Sequence, residues 1–108
     1  MPFAVFLTAD AVSDLEDLYQ YINLHDGPGK AEHVLKSIEK AFVSLSEYPD
    51  RGHHPKELLA LGIRDYREIL FKPYRLIYRI LDNDVYVFLI ADGRRDMQTL
   101  LQRRLLDA

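Results

Sequence analysis

Apolar and polar residues along the chain follow two different periods, and the switch between them divides it into elements. Phe3–Leu7 is a short apolar run that predicts a strand, with Pro2 at its start, where a missing N–H is tolerated. From Val12 the spacing turns helical. Val12, Leu15, Leu18, Tyr19 and Ile22 make one stripe, and Thr8 or Asp10 can cap the helix. Asp14, Glu16 and Asp17 load the early turns with acid, the favourable end of the dipole, and read as a solvated face. His25-Asp26-Gly27-Pro28-Gly29 breaks the pattern. A second stripe of Ala31, Val34 or Leu35, Ile38, Ala41, Phe42 and Leu45 predicts a helix from about Gly29 to Tyr48, stopped by Pro49. The short break makes the two helices antiparallel neighbours.

Residues 49–62, with Pro49, Gly52, Pro55 and Gly62, predict a loop holding one helical turn at Glu57–Ala60. Three strands follow, at Ile63–Phe71, Tyr74–Leu81 and Val85–Ala91. Lys72-Pro73 and Asp82-Asn83-Asp84 are too short to join them as anything but antiparallel hairpins. Tyr74, Leu76, Tyr78 and Ile80 share one face of the middle strand, and Arg75, Ile77, Arg79 and Leu81 the other. Val85–Ile90 is apolar on both faces, as a central strand is, and Phe3–Leu7 should return beside it. Asp96 begins a last helix running to about Leu106, with Leu100, Leu101 and Leu105 on its apolar side and Met97 alongside. The expected fold class is α+β: one domain over residues 1–108, two antiparallel helices packed on a four-stranded, mainly antiparallel sheet, and a C-terminal helix. The second sheet face is either a smaller core under the last helix or an exposed working surface.

Composition narrows the chemistry. Hydrophobic residues are 48% and charged residues 29% of the 108, which argues against disorder. There is no cysteine, so disulfides and thiolate sites are excluded. This fits a reducing, cytoplasmic setting. No apolar run is long enough to span a bilayer, and MPFAVFLTAD lacks the basic start of a signal peptide. A net charge of -3 is a poor basis for general attraction to nucleic acid. The charge is uneven, however. Residues 1–62 carry ten acids against five Lys/Arg, whereas residues 63–108 carry seven acids against nine Lys/Arg, all but one of the nine arginine. That asymmetry suggests a directional contact surface.

The arginines are therefore the first candidates. Arg75 and Arg79 share a strand face and form either a basic patch or cross-strand pairs with Asp65 or Glu68. Arg94 and Arg95 follow a Gly turn at a strand end, where loop cations make good contacts unless Asp92 or Asp96 takes them. Arg103 and Arg104 either neutralise a helix C-terminus or touch a target. Met97, Leu100, Leu101 and Leu105 are either core or a face covered by a partner. Tyr66, Tyr74, Tyr78 and Tyr86 at strand spacing are stacking platforms or ordinary β core. His53 and His54 have no carboxylate spacing that suggests zinc, and HExxH, P-loop and serine-nucleophile signatures are absent. No metal or cofactor is expected.

Four segments in order carry a family resemblance: Ala11–Ile22, with Asp-Leu-Glu-Asp-Leu-Tyr-Gln-Tyr-Ile; Ala41–Gly52, with Tyr-Pro and a loop glycine; Tyr74-Arg75-Leu76-Ile77-Tyr78-Arg79-Ile80; and Val87–Asp96, ending Gly93-Arg94-Arg95-Asp96. Together they resemble the ParE/RelE superfamily of bacterial toxins, most nearly its ParE branch, over roughly residues 3–104. The resemblance implies a cytoplasmic toxin neutralised by a cognate antitoxin. That antitoxin would be ParD-like and ribbon-helix-helix, its C-terminal tail wrapping the toxin in a higher-order hetero-oligomer. In the RelE branch the activity is ribosome-dependent mRNA cleavage; in the ParE branch it is non-hydrolytic poisoning of DNA gyrase. Arg75 and Arg95 match the family's two arginines. The two catalytic lysines fall at about Tyr66 and Glu68 and the late tyrosine at about Leu101, so cations survive and proton-transfer groups are lost, Tyr66 being the remaining candidate. The resemblance thus implies a gyrase inhibitor with no catalytic residue. It would contact its target or a phosphate through Arg75, Arg95, Arg94, Arg79 and Tyr66. Its last helix, with Met97, Leu100, Leu101, Arg103, Arg104 and Leu105, would meet antitoxin or target. An RNase and a non-toxic, antitoxin-binding member are the alternatives.

Overall fold

The computed structural model describes residues 2–106. Strand β1 (Ala4–Leu7) runs into helix α1 (Ala9–Asp26), where the Thr8 hydroxyl oxygen accepts the Ala11 N–H at 3.1 Å as an N-cap. Gly27 alone separates α1 from α2 (Pro28–Val43), whose first turn opens on proline. The segment to the sheet contains the short helix α3 (Lys56–Leu59). Strands β2 (Tyr66–Phe71), β3 (Tyr74–Leu81) and β4 (Asp84–Asp92) form the antiparallel meander, and α4 (Met97–Leu101) continues into a wider π-type turn at Gln102–Leu106.

The sheet order is β1-β4-β3-β2. β1 lies parallel to β4, with Ala4 opposite Asp84 and Leu7 opposite Val87, as the apolar character of both runs demanded. Leu76, Tyr78, Val85, Val87 and Ile90 face α1 and α2 in the larger core, against Ala11, Ile22, Ala31, Val34 and Ile38. The other face is a second core, in which Leu58, Ile77, Leu89, Ala91, Met97 and Leu101 pack together. Burying both faces explains why β4 lacks polar alternation.

Ile77 pairs with Leu89 while the next residue, Tyr78, pairs with Val87, so Phe88 is an extra residue in β4. This bulge switches the strand's faces: Val85 and Val87 point into the larger core before it, Leu89 and Ala91 into the smaller one after it.

Several boundaries differ from expectation for local reasons. Helix α2 stops at Val43, because the Ser44 hydroxyl donates to Ala41 O at 2.6 Å and the chain tightens into a 3₁₀ turn at Ser44–Ser46. The strand expected from Ile63 begins at Tyr66. Ile63 belongs instead to a cap on α3: its N–H donates to Leu58 O (2.9 Å) and that of Gly62, at φ 77°, to Leu59 O (2.9 Å). Ile63 then packs on the second core with Leu58. Val12, placed on the apolar stripe, is exposed, and the buried position is Ala11, whose small side chain lets the start of α1 approach the sheet. No helix among the described residues is long and apolar enough to cross a membrane.

Candidate functional site

The arginine face lies beneath α3. Glu68 on β2 and Arg75 on β3 are diagonal cross-strand neighbours, since Glu68 pairs with Ile77 and Arg75 with Leu70. Arg75 Nε donates to Glu68 Oε1 at 2.6 Å. Its two terminal nitrogens donate to the two oxygens of Glu57 at 2.8 and 2.7 Å, a bidentate fork supplied by α3. The Arg75 side chain is 10% exposed, Glu57 14% and Glu68 5%. Hydrogen bonds from Arg75 hold the Glu57 carboxyl below its ordinary pKa against the opposing effect of burial. The same fork, with Glu68 adding to it, raises Arg75. His53 Nε2 stands 3.0 Å from the remaining oxygen of Glu68. Backbone bonds from His53 N to Glu68 O and from Glu68 N to His53 O lay this loop along β2. His54 Nδ1 lies 3.0 Å from Tyr66 O. Both histidines thus fasten a loop, and among the described residues no cluster of three or more His, Asp or Glu is arranged to hold a metal.

Arg75 is therefore not an open-face cation. It is a buried tie between β3, β2 and α3, and Glu68, at about the position where the resemblance implied a lysine, is one of its anchors. Gly93 presses on the same side chain: a Cβ there would stand 2.7 Å from Arg75 Cδ. Arg79 sits directly opposite Tyr66, its guanidinium carbon 5.7 Å from that ring's centroid, and reaches Asp65 at 3.4 Å. Tyr66 meets Phe88 edge-on at 5.6 Å. Tyr66 and Arg79 thus form one half-buried unit.

Arg94 and Arg95 belong to a different locality. They line a cleft of about 890 Å³ with the end of α1, the start of α2 and the β2–β3 turn. Arg94 is taken by Asp92, with bonds of 2.6 to 3.2 Å, and this lowers the Asp92 pKa. Arg95 and Arg103 are exposed and make no ion pair among the described residues.

The last helix contributes core rather than surface. Met97 and Leu101 are almost fully buried, and Leu100 and Leu105 pack beside them. The late-tyrosine position is thus filled by a buried leucine. Arg104 donates to both oxygens of Asp14 at 2.8 and 2.9 Å and to Phe88 O at 2.8 Å. Asp14 also accepts the Ile90 N–H at 3.0 Å. β1 ends opposite Val87, so Phe88 and Ile90 have no strand partner on that side; the Asp14–Arg104 pair replaces it. This corrects the reading of Asp14 as part of a solvated acidic face. The partnership was hidden because the two residues lie ninety positions apart. Glu57 was missed for the same reason, although the helical turn carrying it was expected.

Comparisons with known proteins agree with this architecture. The family model described as "ParE toxin of type II toxin-antitoxin system, parDE" matches residues 5–97. Toxin ParE3 of Caulobacter vibrioides is 28% identical over 100 residues, covering 93% of this chain and 96% of that protein. Among solved structures, the chromosomal ParDE system of P. aeruginosa superposes with a TM-score of 0.71 at 19% identity, over 83% of this chain and 95% of that one. The RelBE2 toxin–antitoxin complex of Mycobacterium tuberculosis gives 0.58 at 27% identity, over 85% and 92%. A mutant of E. coli toxin RelE in the free state gives 0.67 at 18%, over 98% and 100%.

Proposed function

Since the chain belongs to the ParE toxin family of type II toxin–antitoxin systems, we propose that it acts by docking on DNA gyrase and not by cutting RNA. One observation carries this reading: the strand arginine that would stabilise a phosphorane is already saturated by Glu57 and Glu68. Transition-state stabilisation needs donors aimed at developing charge and held free for it. A guanidinium whose Nε and two terminal nitrogens are committed to carboxylates has little left to offer. Leu101, buried in the second core, cannot donate a proton. What remains exposed is suited to protein contact: Arg95, Arg103 and Leu106 on the C-terminal side.

The cognate antitoxin is proposed to be ParD-like, with a C-terminal tail that wraps the toxin, in the cytoplasm where gyrase works. The hairpin of α1 and α2 leaves Tyr21, Leu24 and Val43 substantially exposed, apolar surface that a partner would cover.

The test is to express the chain alone, then follow plasmid supercoiling, the DNA-damage response and mRNA integrity, with purified gyrase as a second assay. Loss of supercoiling with intact mRNA is the expected result. Cleavage of translated mRNA would replace this reading with the RelE-type activity. A harmless chain that still binds its antitoxin would make it a non-toxic member.

A further inference from the structure

Arg95 and Tyr21, named above as surface for protein contact, also line a cleft beside Arg94. Four separate stretches build it: the last turns of α1, the first turns of α2, the β2–β3 turn and the residues after β4. Its size falls within the range of small-ligand sites, which run to about 1,000 Å³. Its chemistry is of two kinds. Flat rings line it in pairs: Tyr21 stacks on His25 at 4.1 Å and 26°, and Phe71 lies 6.4 Å from Tyr74 at 20°. Tyr21 is 62% exposed, so its pair presents a ring to solvent that the fold does not use. Cations surround the rings. Lys30, Lys72 and Arg95 line the cleft and make no ion pair among the described residues, whereas Asp92, one of its three acids, is already neutralised by Arg94. In a chain of net charge -3, this leaves a local surplus of uncommitted cations beside exposed aromatic faces.

We propose that this cleft binds a nucleoside phosphate. The ligand must be flat enough to lie against an aromatic ring and carry an anion within reach of the cations. Base-on-ring stacking is worth about 1–3 kcal/mol per base, and phosphate contacts add affinity that falls with salt. A bare anion would leave the rings unused, and a neutral aromatic would leave Lys30, Lys72 and Arg95 unused. A molecule with both halves engages the rings and the cations together, its phosphate held on the side of Lys30, Lys72 and Arg95 and away from Asp17 and Asp26.

The test is calorimetric titration of the purified full chain with adenosine monophosphate, adenosine and inorganic phosphate. The expected order is tightest binding by the monophosphate, with adenosine and phosphate each weaker by about tenfold or more. Binding should weaken as salt rises. Lys72→Glu and Tyr21→Ala change exposed residues, so both variants should keep the wild-type circular dichroism and Tm while each loses about tenfold in affinity. No heat with the monophosphate overturns the proposal. So does equal binding of inorganic phosphate, or affinity unchanged in both variants.

Discussion

At the scale of single residues, the arginine that looked most like a working group is the one most heavily engaged. Arg75 joins two carboxylates that would otherwise repel each other in a buried place. Removing one partner of a buried pair costs about 3–5 kcal/mol, because the remaining charge is left uncompensated. Arg75→Ala should therefore unfold at markedly lower denaturant, which equilibrium urea melts will read. Glu57 adds an acid dependence. Its folded pKa is depressed below the ordinary 4.5, so its contribution is complete above that value and is lost as pH falls through the folded pKa. In Glu57→Gln, stability should be lower at neutral pH and fall less steeply on acidification, as a series of melts between pH 7 and about pH 3 will report. Tyr78 gives a cleaner case. Its buried hydroxyl donates to Pro49 O at 2.6 Å and accepts the Gly52 N–H at 3.0 Å. Tyr78→Phe orphans both groups and should cost about 1–3 kcal/mol, measured in the same melts.

At the scale of elements, what was legible depended on whether the cause was local. The cap at Thr8, the break at Gly27, the hairpins and the parallel return of β1 all follow from neighbouring residue types or from a run too apolar to stay alone. Asp96 also caps its helix as read, its carboxylate accepting the Thr99 N–H at 3.2 Å. The limits of α2 and β2 were harder, since a serine back-bond and a left-handed glycine cap compete with continued periodicity and win by a hydrogen bond or two. The site was less legible still. Cross-strand pairs such as Arg79 with Asp65 were among the readings open at the outset. The forks from Glu57 and Asp14 come from distant elements, and no spacing announces them. The Asp14–Arg104 tie carries its own consequence. Arg104→Met keeps the aliphatic stem but strands Phe88 O and Asp14. Amide exchange should accelerate across Met97–Leu106 and at Ile90, with α2 protection much less affected.

At the scale of the whole molecule, one sheet serves two cores of unequal size. Leu58, from the small helix α3, is 1% exposed and plugs the lesser of them. Leu58→Ala should cost about 2–5 kcal/mol. Because β3 and β4 line both cores, the loss should appear as one lowered transition in calorimetry and not as separate melting of the C-terminal side. The bulge at Phe88 makes this sharing possible, since it lets one strand give Val85 and Val87 to one side before it and Leu89 and Ala91 to the other after it.

The parallel pairing of β1 with β4 also sets an order of events during synthesis. β1 leaves the ribosome eighty positions ahead of Asp84–Val87, its ladder partner among the described residues. Until then Val5 and Leu7 have no neighbouring strand, and the sheet lacks an edge. The sheet therefore gains its β1 edge only after β4 has been made, and the parallel ladder closes after the antiparallel hairpins can already have formed.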